Sequence, residues 1–131
     1  MSSKYAVVIE SFAERHFIKF FAKKYKKNWD LTMAAIEEEM QRIDALIGQT
    51  NIAETIISEN DVRIVKTEFR VVGTQDSRHT SGNRCIVAVH DKVQTAHILL
   101  VYGKTDVRGS RETDWWKGLI RNNYLQYRAW V

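Results

Sequence analysis

Arg84-Cys85-Ile86-Val87-Ala88-Val89-His90 and Thr95-Ala96-His97-Ile98-Leu99-Leu100-Val101-Tyr102, joined by a short polar turn around Asp91 to Gln94, are the two runs that set the architecture. Each is apolar on both of its alternating faces, as the central strands of a sheet are. So tight a connection makes them antiparallel neighbours. With the turn centred between Lys92 and Val93, Arg84 falls opposite Val101 and next to Tyr102. A slip of one residue would carry the side chains to the other face.

Upstream, Gly73 to Gly82 is polar and turn-forming, and before it the period is two. Val65, Thr67, Phe69 and Val71 point one way while Lys66, Glu68 and Arg70 point the other. Counting across the loop places Arg70 close to Arg84. Residues 49 to 61 are ambiguous, since Ile52 to Ile57 suits a short strand or a helix extension. Further out, Lys4 to Glu10 reads as a strand, and Ser11-Phe12-Ala13-Glu14 as a capping box starting a helix at residue 12. Phe17, Phe20, Phe21 and Tyr25 form an aromatic stripe opposite Arg15, Lys19, Lys23 and Lys26. Asn28-Trp29-Asp30 breaks the pattern. A second helix follows through Met33, Ile36, Met40, Ile43 and Leu46 or Ile47, with Gly48 as its terminator and an acidic face at Glu37, Glu38 and Asp44. Beyond the sheet, a helix beginning near Ser110 carries Trp115, Trp116, Leu119 and Ile120. Tyr124, Tyr127 and Trp130 then read as packing aromatics in more helix or an ordered tail.

These elements make a single α+β domain over residues 1–131: an N-terminal strand, an antiparallel two-helix hairpin, an antiparallel sheet of about four strands and a C-terminal helix. A chain of 131 residues can bury a core without disulfides or metal. No apolar run approaches the ~20 residues that span a bilayer, and no signal peptide opens the chain, so a cytoplasmic protein with no membrane partner is expected. The single cysteine, Cys85, lies in an apolar strand and reads as an inert core thiol. The four histidines show no metal-binding spacing, and neither metal nor cofactor is expected. Charge is uneven: residues 61–131 hold twelve Lys and Arg against seven Asp and Glu, whereas residues 31–60 hold one Arg against six acids. The basic half suits a polyanion such as RNA, and the acidic helix would repel one.

Arg70, Arg84, Tyr102 and Lys104 all fall at one end of the expected sheet, with Arg78 and His79 in the loop above it. Crowded cations are costly unless an anion joins them. With Thr80-Ser81-Gly82-Asn83-Arg84-Cys85-Ile86-Val87-Ala88-Val89 and His97-Ile98-Leu99-Leu100-Val101-Tyr102-Gly103-Lys104-Thr105-Asp106, the chain resembles toxins of the RelE/ParE superfamily. It is most similar to HigB-like members, with their Gly-x-Arg, apolar strand and Leu-x-x-Tyr-x-Lys-x-(Asp/Glu) segment. The resemblance implies a ribosome-dependent mRNA endoribonuclease that needs no metal and is silenced by a cognate antitoxin. Its implied partners are that antitoxin, the ribosome and mRNA, with no DNA bound on its own. Arg84 matches the motif arginine, Arg70 and Lys66 the basic positions of the preceding strand, and Lys104 the basic position after the last strand. Asn83 departs from the aromatic residue common before the motif arginine, and no sure C-terminal catalytic tyrosine or histidine is found.

In such chemistry the RNA supplies its own 2′-hydroxyl as nucleophile, and the protein positions the chain, stabilises charge and moves protons. Arg84 and Arg70 are expected to grip one backbone phosphate together, because a guanidinium forks onto two oxygens and stays charged. Lys66 or Lys104 would serve as base, with His79 and Tyr102 as proton carriers and Arg78, Arg63 and Arg108 along the RNA path. Arg70 and Arg84 on opposite sides of the sheet, or either locked into an internal carboxylate pair, would take the nuclease assignment with them. A gyrase-inhibiting toxin and a non-catalytic RNA-binding or interaction module are the alternatives on the same fold.

Overall fold

The computed structural model describes residues 4–49, 52–109 and 111–131. Strands β1 (Ala6–Ile9), β2 (Ala53–Glu59), β3 (Val62–Phe69), β4 (Asn83–His90) and β5 (Thr95–Tyr102) form one sheet in the order β1-β5-β4-β3-β2. From β2 to β5 each strand is antiparallel to the next; β1 runs parallel to β5. The α+β class stands, with five strands rather than about four, because β1 joins the same sheet and the ambiguous stretch after residue 49 pairs as β2.

The helices are α1 (Ser11–Ala13), which runs through a π-helical stretch (Glu14–Ile18) into α2 (Lys19–Tyr25), then α3 (Lys27–Gln41), α4 (Ile43–Gln49) and α5 (Glu112–Asn123). Three expectations are corrected. Ser11 lies inside the first turn and Glu10 holds the cap position without a side-chain hydrogen bond, so no capping box forms. The break falls at Lys26, at φ 54°, rather than at Asn28 to Asp30. Trp29 is already helical because its ring is buried, stacked on Phe21 at 4.7 Å and edge-on to Phe69 at 6.0 Å. Gly48 lies within α4 rather than ending it.

Both faces of the central strands are covered, which accounts for their double apolarity. Val65, Phe69, Cys85, Val87 and Ile98 pack under Trp29, Ile36, Met40 and Ile43. Ile64, Ile86, Ala88, Leu99 and Leu100 pack under Trp116, Ile120, Tyr124 and Tyr127. The C-terminal aromatics are therefore packing, with Leu125–Trp130 a 3₁₀ tail, and Tyr124 donating to the Leu99 carbonyl at 2.7 Å. Burial pushes the Cys85 thiol up to about 12, so it stays inert at neutral pH. Among the described residues, no helix is long and apolar enough to cross a membrane.

A bulge decides which face the last strand presents. The β4–β5 register follows the expected one from His90 opposite Thr95 to Val87 opposite Ile98, then shifts by one, so that Ile86 faces Leu100 and Arg84 faces Tyr102. Leu99 and Leu100 consequently lie in the same α5-side core. The extra residue resets the alternation and swings Tyr102 to the side of Arg84. Unbroken alternation from Ile98, which faces α3, would have put Tyr102 there too.

Candidate active site

β4 alternates Cys85, Val87 and Val89 toward α3 with Ile86 and Ala88 toward α5, which puts Arg84 on the α5 face at the strand's first turn. Its cross-strand neighbours are Glu68 and Tyr102. Arg84 is 8% exposed. Its guanidinium donates to the Asn83 carbonyl at 3.0 Å and the His79 carbonyl at 3.2 Å, and stands 3.7 Å from Glu68 Oε1. At that separation the pair attracts without a hydrogen bond. Its buried Nε has no partner.

Glu68 is held from several directions. His79 Nδ1 lies 3.0 Å from its Oε1, with the imidazole in solvent. Arg78 donates to the Glu68 carbonyl at 3.1 and 2.8 Å and to both Glu39 carboxylate oxygens at 2.8 and 2.7 Å, tying the loop to β3 and α3. Ser81 Oγ donates to the Phe69 carbonyl at 2.7 Å. Gly82 then turns the chain into β4 at φ 76°, where a Cβ would come within 2.8 Å of the Lys104 side chain. Glycine takes this φ without strain and leaves the Lys104 side chain in place.

Two residues before Glu68 and on the same face, Lys66 Nζ lies 3.5 Å from Glu112 Oε2, which also accepts the Tyr102 hydroxyl at 2.9 Å. Burial first, then this hydrogen bond, raises the Tyr102 phenol above its usual range. Tyr102 packs edge-on to Trp115 at 4.9 Å. It therefore positions Glu112 and does not trade protons at neutral pH.

Of the residues singled out in the sequence, Arg84, Lys66, Tyr102 and His79 come together, and Arg70 does not. It lies one residue past β3, exposed, lining a recess with Glu38, Glu39 and Arg42. The register sets Glu68, not Arg70, opposite Arg84, so the two-arginine phosphate clamp is corrected to an arginine facing a carboxylate, and the nuclease assignment loses the footing that clamp gave it. Lys104 is exposed and packs across Gly82. Arg78 is committed to Glu39 and the Glu68 carbonyl. Arg63 sits at the other end of the sheet on Asp91, and Arg108 is exposed past the last strand.

Sequence reasoning missed Glu68 and Glu112. Glu68 was legible on the polar face of β3, two residues from Lys66. Glu112 carries no local signal, because its place depends on how α5 docks. Comparisons with family models, with curated proteins and with solved structures found no match for this chain.

Proposed function

We propose that this chain is a RelE/ParE-like toxin domain that cleaves mRNA at the ribosome by attack of the RNA's own 2′-hydroxyl, and that a cognate antitoxin silences it. The element order supports the reading: an N-terminal strand leading into helices, an antiparallel run from β2 to β5, and a C-terminal helix. With the two-arginine clamp gone, the chemistry rests instead on a different observation, the Glu68 carboxylate set between His79 at 3.0 Å and the Arg84 guanidinium at 3.7 Å.

Glu68 accepts the Nδ1 proton of His79 and so leaves Nε2 as the free base, the logic by which a carboxylate orients a catalytic imidazole. His79 takes the 2′-hydroxyl proton, O2′ bonds to phosphorus, and the P–O5′ bond breaks to leave a 2′,3′-cyclic phosphate. Lys66, about 7 Å along the same strand face, returns a proton to the leaving 5′-oxygen. Arg84 supplies positive charge to the phosphoryl oxygens from behind. Proton transfer of this kind contributes roughly 10²–10⁴ in rate.

The test is inducible expression with primer extension on cellular mRNA, comparing the wild type with His79→Ala, a change at an exposed loop position that spares the core. The expected result is growth arrest with discrete cuts for the wild type and neither for the variant. Cuts that persist in the variant, or DNA damage without cuts, would overturn the reading. A second reading, an RNA-binding module without catalysis, is favoured by Arg84 already donating to two backbone carbonyls at the core's edge. It predicts salt-sensitive RNA binding without growth arrest.

A further inference from the structure

We infer that the cleft between α2 and the turn at Lys104–Asp106 binds one unstacked base of the single-stranded RNA whose phosphate lies at the Arg84 rim. The inference rests on the ribonuclease reading and adds to it where the substrate chain is held. The cleft, of about 240 Å³, is lined by Phe20, Phe21, Tyr25, Lys24, Asn83 and Lys104, among others. That is smaller than the roughly 300–1,000 Å³ of sites for drug-sized ligands and suits a single ring system.

Phe20 is the informative residue. It is 59% exposed at the mouth of the cleft, although Phe21 and Tyr25 beside it pack partly into the core. Lys19 Nζ stands 5.5 Å from the Phe20 ring and Lys24 Nζ 5.1 Å from the Tyr25 ring. Between Glu14 and Asp30 the chain carries six Lys and Arg and no acid. Aromatic rings interleaved with cations on an open surface are the combination that holds single-stranded nucleic acid, the rings taking bases and the cations the backbone. A protein docking here would need an acidic, ring-bearing segment; single-stranded RNA offers anion and ring at every residue.

The cleft also has groups that suit a base edge. Asp76 lines it with a carboxylate that can accept from an exocyclic amino group, whereas the Asp106 carboxylate already accepts the Gly103 amide at 2.8 Å. Asn83 lines the cleft while Arg84, the next residue, faces Glu68 and His79 on the other side of the sheet. One RNA strand crossing this end over Gly82 and Lys104 reaches both.

The experiment measures fluorescence anisotropy of a labelled, short single-stranded RNA that is 2′-O-methylated throughout and so cannot be cleaved through its 2′-oxygen. Phe20→Ala is expected to weaken binding about tenfold without changing its salt dependence, because a stacking contact is lost and no phosphate contact. Lys24→Ala is expected to lower the salt slope by about one. Phe20→Ala binding like the wild type would overturn the base site, and loss of self-association in that variant instead would assign the cleft to a second copy of the chain. A wild type that binds through Phe20 but leaves an unmethylated message on the ribosome intact would sink the nuclease reading and leave the cleft standing. Cleavage on the ribosome with a KM indifferent to Phe20 would do the reverse, and a wild type that binds no RNA would remove the base site.

Discussion

The two ends of the sheet hold the same kinds of residue and use them differently. At the β4–β5 turn, Arg63 forks onto Asp91 with bonds of 2.9 and 2.6 Å, and the Tyr5 hydroxyl donates to the same carboxylate at 2.7 Å. At the far end, Arg84 stands 3.7 Å from Glu68 with its Nε unpartnered, and Tyr102 is bound to a different carboxylate, Glu112. The first carboxylate is filled by three donors from two strands' worth of chain. The second keeps its one short contact for an imidazole in solvent. An arginine, a carboxylate and a tyrosine thus make a lock where both donors bond one carboxylate, and an open rim where the arginine reaches its carboxylate only at long range and the tyrosine bonds another.

The largest effect that would break this contrast is catalytic. On the ribonuclease reading, Glu68→Gln keeps the shape of the side chain but removes the charge that would orient His79, and single-turnover cleavage of a labelled message on the ribosome is expected to slow roughly 10²–10⁴-fold while the circular dichroism spectrum stays as it was. A variant as active as the wild type would make Glu68 a lock like Asp91. Less in size, and opposite in kind, is the response of the other end. Arg63→Ala leaves Asp91 with Tyr5 alone, and because the pair is only partly buried, the expected cost in urea unfolding is about 1–2 kcal/mol, with the cleavage rate untouched. Equal loss of cleavage in both variants would show that the ends are not separable.

How much of this the sequence disclosed follows from how local each signal is. The strands β3, β4 and β5 were legible because burial on one or both faces writes itself as a period of two or as unbroken apolarity. The register near the turn was legible because a short turn fixes it. The bulge at Leu99, where the pairing shifts between Val87 and Ile86, was not, and it alone moves Arg84 from Val101 to Tyr102; nothing in Leu99-Leu100-Val101 distinguishes a bulged strand from a regular one. The capping box had the right letters at Ser11 and Glu14, but the chain entered the helix one residue earlier than the motif requires. Arg84 stood out as a cation beside an apolar strand. Its carboxylate partner did not, because an alternating polar face gives Lys66, Glu68 and Arg70 the same standing until the register is known.

The finest test of the contrast is pH, because the closed end also carries the sheet's interacting histidines. His90 packs on His97 at 4.9 Å between ring centres, and its Nε2 lies 2.8 Å from the Tyr127 hydroxyl, while His97 Nδ1 lies 2.9 Å from Glu10. Burial and then the neighbouring His97 lower the His90 pKa, against the pull of Asp91. Tyr127 keeps its proton, its pKa raised by burial to about 12, and can donate to an unprotonated Nε2. In the unfolded chain His90 titrates near about 6.5, above its folded value. Between those two values the unfolded state binds more protons. The stability His90 contributes is therefore complete above about pH 6.5 and is lost as the pH falls through the folded pKa. Asp91 follows the same sign lower down: burial raises its pKa, the hydrogen bonds from Arg63 and Tyr5 outweigh that, and its net depression gives up stability only in more acid solution. Urea midpoints of the wild type at about pH 8 and about pH 5.5 should therefore differ by more than those of His90→Asn. Equal differences would mean that His90 is as open to water as His79, and that the two ends of the sheet are less unlike than their hydrogen bonds make them.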